Sequence, residues 1–449
     1  MVKQIFTHKI FLLLLLSLLL MVPVQSIMEL NRERQAYRSQ AIHSIMASSS
    51  GPQRLMGPII VQPYTRSVTV EQEGKRFVRQ EQIYRYLLPE LLDIKANMEV
   101  TPRKLGIYQA QVYQTRLSLS GRLPTAAQLQ ESAPLAGDDE LVAGKPYLSL
   151  VLSDARGINS VPELQLGKQR TPFAPGARLG STLAGIHAPL DSLPQQDGTF
   201  HLELNLQGMN ELEVVPLGRE SKLQLAGNWP HPNFIGDFLP ASRSLNQEGF
   251  NASWQTSWFA TDMESRFNRA MNGGEDVLPT FSVSLVQPVD HYQLNERAAK
   301  YALLFIGLTF ISFFMFELLK GLRVHPIQYA LVGMGLAIFY LVLLALTEHL
   351  GFGWAYLVAA LASVLLNGFY LSHVLGGPKQ GIGFAALLGL VYAILYSLLQ
   401  AEEIALLLGA LLLFATLALI MLLTRKLDWY QVMGQQSVES RPTGDSNDN

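Results

Sequence analysis

The chain has 449 residues, of which 49% are hydrophobic and only 16% charged, well under the quarter typical of soluble globular proteins, which points to a membrane protein. A formal charge of -2 excludes the broad basic field that gathers nucleic acid phosphates, so no nucleic acid partner is expected. Cysteine is absent, which excludes disulfides, thiolate nucleophiles and thiolate metal sites.

Residues 1–9 are a short charged start containing Lys3 and Lys9, followed by an apolar run over residues 10–30. A charged start before a leucine block fits a signal peptide, but the run is as long as the roughly 20 residues of a spanning helix and Val24-Gln25-Ser26 is a poor cleavage site. The reading is an uncleaved signal-anchor helix. Residues 31–300 have the composition of a polar globular domain. Their first stretch, to residue 49, continues from Leu30 with Ala36, Ile42, Ile45 and Met46 spaced as a helical stalk or an amphipathic first helix that ends at Ser48-Ser49-Ser50-Gly51-Pro52.

Period-two alternation then dominates, over Ser67 to Val70, Tyr113 to Leu119, Leu148 to Leu152, Leu202 to Leu206, Lys222 to Leu225 and Phe281 to Val286, as in half-buried strands. Turn signals at Glu73-Gly74-Lys75, Asp197-Gly198, Leu217-Gly218-Arg219 and Asn272-Gly273-Gly274 separate them, without long βα alternation. An antiparallel sandwich is expected, in one piece or as two subdomains with the Pro-rich stretch Pro162 to Pro175 as the linker.

Residues 301–424 contain five apolar runs, near Tyr301 to Leu319, Ile327 to Leu346, Phe352 to Leu375, Ile382 to Leu399 and Ile404 to Leu423. Their short connections predict one bundle of five transmembrane helices. Lys320, Arg323, Lys379, Arg425 and Lys426 fall on one side, whereas the loops around Glu348 and Glu402-Glu403 on the other carry neither Lys nor Arg. The positive side is retained in the cytoplasm. With six spans, parity places both termini in the cytoplasm and residues 31–300 outside it, in the periplasm of a bacterial inner membrane. The tail, residues 425–449, lacks apolar periodicity and reads as disordered. The fold class is thus an α+β membrane protein.

The most distinctive segment runs from Asn228 to Pro240. It offers Trp229, His231, Asp237 and Phe238 as a candidate binding loop, with His231 and Asp237 as the one acid-base pair worth testing. The plainer alternative, which is preferred, is a proline-stiffened connection whose aromatics fill the core. Ser153 to Ile158 follows a strand and makes Asp154 and Arg156 a candidate polar site for a carboxylate or phosphate; a local turn with a salt bridge is the favoured reading. His43, His187, His201 and His291 have no ligand spacing, so no metal is expected, and nucleophile-elbow, phosphate-loop and dinucleotide signatures are absent. Ala355, Ala359, Ser363 and Asn367 recur every four residues as a helix-packing seam. Glu317, three residues before Lys320, is expected to pair and snorkel at the cytoplasmic edge. Glu348 and His349 read as ordinary polar residues at a helix end.

Several long segments together resemble the CreD family: Ser50 to Pro58, Ser153 to Ile158, Trp229 to Pro240, His325-Pro326-Ile327-Gln328-Tyr329, Leu343 to Phe352, and Leu366-Asn367-Gly368-Phe369-Tyr370-Leu371. The resemblance implies an inner-membrane protein of the envelope-integrity type, under a CreB and CreC two-component system and tied to envelope stress and β-lactam response. It supplies no catalytic residues. The leading expectation is non-catalytic binding of a periplasmic or membrane protein, lipid or cell-wall partner, with the bilayer as a permanent partner, no cofactor, and an oligomer allowed. The alternatives are an envelope-modifying enzyme using the 229–240 segment and, last, a lipid or small-molecule transporter.

Overall fold

The computed structural model describes residues 2–72, 75–131, 141–180, 183–285, 291–320, 324–375, 377–401 and 404–425. The tail beyond Arg425, the turn at Glu73-Gly74, Arg323 and Glu402-Glu403 lie outside these residues. The described residues fall into two compact units, one drawn from Arg38–Pro288 and the other from Met1–Tyr37 with Val289–Asn449.

The Arg38–Pro288 unit is built on two sheets. The first, of nine described strands, is centred on the long strand Gln53–Gln72 and ends at one edge in Pro232–Gly236, which pairs with Phe281–Leu285. The second, of eight, has Leu91–Leu105, Tyr108–Arg122 and Thr199–Met209 at its middle and Ser242–Asn246 at one edge. Strict alternation in Thr199–Met209 turns Phe200, Leu202, Leu204 and Leu206 inward and leaves His201, Glu203 and Asn205 outside. Residues from both sheets, such as Ile59 and Leu150 in the first and Ile94, Leu119 and Leu223 in the second, share one apolar core.

Each predicted strand is present. Two expectations need correction. The sheets are mixed: Gln53–Leu55 runs parallel to Leu212–Val214, and Glu220–Gly227 runs parallel to Leu91–Met98. These partners lie more than a hundred residues apart, beyond the reach of turn signals. The stretch Pro162 to Pro175 is no linker, because Glu163–Leu166 and Gln169–Pro172 form a hairpin and Ala174–Pro175 pairs with Gly185–Pro189. Proline is tolerated there because it sits at strand ends and sheet edges.

The N-terminal residues form two helices, Val2–Leu19 and Met21–Ser48, with the single turn residue Leu20 between them, so the predicted anchor and stalk are both helical. Among the described residues four helices are long and apolar enough to cross a membrane: Phe11–Ser48, Pro326–Leu350, Phe352–Val374 and Pro378–Gln400. The pair His291–Lys300 and Ala302–Leu318, bent by 47°, would make a fifth, and Leu407–Leu422 is a shorter apolar helix. His291–Lys300 falls inside the stretch 31–300 that composition assigns to the globular domain. Its polar sequence hides a buried face of Tyr292, Asn295, Ala298 and Ala299 at helical spacing, and it belongs with the apolar helices.

Leu13, Leu20 and Val24 of this N-terminal segment are buried in the helical core. Lys9 donates to Glu317 and to the Val324 carbonyl (2.8 Å); the same carboxylate accepts from the Val324 N–H (3.0 Å) and the Tyr329 hydroxyl (2.8 Å). Glu317, 7% exposed, is held inside the unit by Lys9 of the N-terminal helix, a partner its local sequence does not reveal; the side chain of Lys320 lies outside the described residues.

Candidate functional site

One cleft of the Arg38–Pro288 unit, of about 290 Å³, has walls that include Tyr86, Glu90, Gln128, Arg219, Trp258 and Glu264; two wider hollows, of about 610 and 550 Å³, lie on the outer face of the second sheet around Arg116. The geometry of the Trp258 cleft follows from the end of one strand. Gly249–Ser257 alternates until Trp258 and Phe259, two consecutive aromatics that cannot both face the core. The chain turns there into the short helix Trp258–Thr261, passes through Asp262 at φ 45°, and enters the helix Met263–Met271, which buries Met263 and Phe267. Phe267 meets the wall residue Tyr86 edge-on at 5.5 Å.

Trp258 is held from two directions. Its N–H donates to the Arg219 carbonyl at 2.8 Å, and the Arg219 guanidinium lies 4.8 Å from its ring centre, a cation–π contact. Its ring meets Phe259 at 5.3 Å, and Phe259 is 87% exposed. Across the cleft, the Glu90 carboxylate accepts from Gln128 and lies 4.0 Å from Arg122. The cleft thus offers an aromatic face, apolar residues including Leu217, the carboxylates of Glu90 and Glu264 and the guanidinium of Arg219. That set can bind by stacking and by charge-assisted hydrogen bonds; its walls carry no nucleophile paired with a base. Among the described residues no three His, Asp or Glu are grouped to hold a metal ion.

The residues singled out from sequence are placed elsewhere. The segment expected to be a loop contains an edge strand, Pro232–Gly236, with His231 before its start and Asp237 after its end. The five residues of the strand, at about 3.3 Å each, put roughly 16 Å of chain between the two, too far for one acid-base pair. Asp237 accepts from the Thr280 N–H at 2.9 Å, and His231 is exposed, its carbonyl accepting from the Trp229 indole at 3.0 Å. Phe238 packs edge-on to Phe281 at 5.9 Å. These side chains fix the edge of a sheet.

Asp154 and Arg156 do come together, with one another. Arg156 donates from Nε (2.9 Å) and Nη2 (2.7 Å) to the Asp154 carboxylate and from Nη1 to the Ala47 carbonyl (2.9 Å), near the end of the long N-terminal helix. Asp154 also accepts from the Gly51 N–H at 3.2 Å and caps the turn Ala155–Gly157. The neighbouring guanidinium holds the Asp154 carboxyl below the usual carboxylate range. The guanidinium is committed to these partners, so the motif fastens helix to sheet.

The seam residues Ala355, Ala359, Ser363 and Asn367 are all buried. Asn367 donates to the Ser363 carbonyl (2.9 Å), the Tyr392 hydroxyl donates to Ser363 Oγ (2.8 Å), and a side chain at Gly335 would meet the Asn367 amide at 3.1 Å. Small residues there allow close approach of helices.

Apolar spanning helices joined to a large sheet-rich unit define a polytopic membrane protein with a substantial extramembrane domain. The model of the family "Inner membrane protein CreD" matches residues 5–430. A relative named Inner membrane protein CreD, from Escherichia coli strain K12, is 41% identical over 415 residues, covering 92% of this chain and 91% of that one. The chain belongs to the CreD family of inner-membrane proteins. Among solved structures it is similar to an M1 zinc metallopeptidase from Deinococcus radiodurans, with a TM-score of 0.21 and 9% identity over 44% of this chain and 42% of that one. A two-domain M1 zinc metallopeptidase gives 0.21 and 8% over 48% and 54%. Similarity at that level carries no argument about fold or chemistry.

Proposed function

We propose that this protein supports cell-envelope integrity, under envelope stress and β-lactam challenge, by non-catalytic binding of a protein, lipid or wall component at the Trp258 cleft. In this reading the Arg38–Pro288 unit lies in the periplasm and both termini in the cytoplasm. Six spans follow if the bent pair His291–Lys300 and Ala302–Leu318 counts as one and Leu407–Leu422 as another. The observation that carries the binding reading is the exposed aromatic pair Trp258–Phe259 at a cleft whose walls provide contacts without a nucleophile and base. The separation of His231 from Asp237 by a strand further weakens the enzymatic alternative.

The test is complementation of a deletion strain under envelope stress with variants confirmed at wild-type abundance in the membrane. Trp258→Ala is expected to fail, because an aromatic anchor is worth about 2 kcal/mol, roughly a thirtyfold loss in affinity. His231→Gln and Asp237→Asn are expected to restore survival. Full rescue by Trp258→Ala combined with Phe259→Ser would remove the cleft from the function.

A further inference from the structure

In the helical unit a small cavity of about 10 Å³ is lined by Asn31 of the N-terminal helix, Asn295 of His291–Lys300 and Tyr340 of Pro326–Leu350, together with Ile27, Ala299 and Leu343. The three polar residues are 2%, 7% and 3% exposed. Four of their atoms, Asn31 Oδ1, both amide atoms of Asn295 and the Tyr340 hydroxyl, have no hydrogen-bond partner among the described residues. Leaving such groups unpaired in a buried site is costly, so a guest is called for.

The chemistry of the four atoms identifies it. Two are carbonyl-type acceptors, one is an N–H donor and one is a hydroxyl able to do both. A cation would meet the Asn295 N–H₂ group, and an anion would meet two amide oxygens. Only a neutral molecule that both donates and accepts suits the set. The volume matches about one water molecule, and two to four polar partners are what a buried water needs.

We infer that this cavity is a built site for a single water molecule that joins the N-terminal helix to the two helices beside it. Around it, Asn31 Nδ2 donates to the Tyr292 carbonyl at 3.1 Å, and the Tyr292 hydroxyl donates to Glu348 at 3.2 Å, with Arg34 3.8 Å from the same carboxylate. Glu296, which also lines the cavity, is turned to Lys300 at 3.0 Å. The water completes a polar joint partway along the N-terminal helices, as the Lys9, Glu317 and Tyr329 group does near their start. The N-terminal helix is thereby a fixed member of the bundle.

The experiment is a structure of the full chain in lipid nanodiscs at a resolution that shows ordered water, together with melting of three variants. One density peak at about 2.7 to 3.2 Å from at least two of Asn31, Asn295 and Tyr340 is expected. Collapse of the three side chains onto one another, or a peak at cation distances near 2.4 Å, would overturn the inference. Asn295→Leu and Tyr340→Phe should each lower the melting temperature by a few degrees. The triple variant Asn31→Leu, Asn295→Leu, Tyr340→Phe should lose less than the sum, because no polar group is then left stranded. Strictly additive losses would contradict a shared guest.

Discussion

Replacing Lys9 with Met destabilises the helical unit by about 3 kcal/mol or more, because it strands the Glu317 carboxylate in a buried site. Glu317 would keep the Val324 N–H and the Tyr329 hydroxyl but lose its cationic partner Lys9. Removing one member of a buried pair is far more damaging than removing both. Lys9→Met combined with Glu317→Leu should therefore regain most of the loss. Thermal melting of the purified full chain in detergent separates the two. Equal melting temperatures for Lys9→Met and the wild type would show that the N-terminal helix contributes nothing through this pair. The prediction bears on biology as well, since cleavage of the first helix as a signal peptide would remove Lys9 together with the buried Leu13, Leu20 and Val24.

Trp254→Ala costs the β unit about 3–5 kcal/mol, the range for deleting a large buried aromatic. Trp254 is 2% exposed, stacks on Phe281 at 6.1 Å, meets Phe234 at 5.6 Å and donates from its indole to the Phe238 carbonyl at 3.1 Å. It thus binds the strand Gly249–Ser257 to the segment around Pro232–Gly236. The loss should appear as a fall in the denaturant midpoint at unchanged slope. Trp254→Phe should lose less, keeping the apolar bulk and giving up the indole hydrogen bond. If Trp254→Ala melts like the wild type, the aromatic segment is not core.

Periodicity carried much of this architecture. Alternation marks strands such as Thr199–Met209 that have one buried face, a leucine-rich run marks Tyr147–Leu152, which is buried throughout, and apolar runs mark the long apolar helices. What stayed hidden depends on partners distant in sequence. Nothing local in Gln53–Leu55 reports its parallel neighbour Leu212–Val214. Glu317 lies within one turn of Lys320, whereas its partner Lys9 is 308 residues away. The segment from Trp229 to Phe238 looked unusual because it is rich in proline and aromatics, and those residues build a sheet edge. The Trp258 cleft left one local sign, the tandem aromatics that end an alternating strand, and its other wall comes from residues as distant as Tyr86 and Glu90. Asp154 and Arg156 were legible as a turn; the Ala47 carbonyl that completes their role was not.

The natural absence of cysteine makes the decisive measurement clean. Ser244, on the exposed edge strand Ser242–Asn246, and Lys379, exposed at the start of Pro378–Gln400, are each replaced by Cys in the full chain. Spheroplasts are then treated with a membrane-impermeant maleimide before and after permeabilisation. With the β unit in the periplasm, Ser244→Cys is labelled in intact spheroplasts and Lys379→Cys only once the membrane is opened. The reverse pattern would place the cleft in the cytoplasm and contradict a role in binding envelope components.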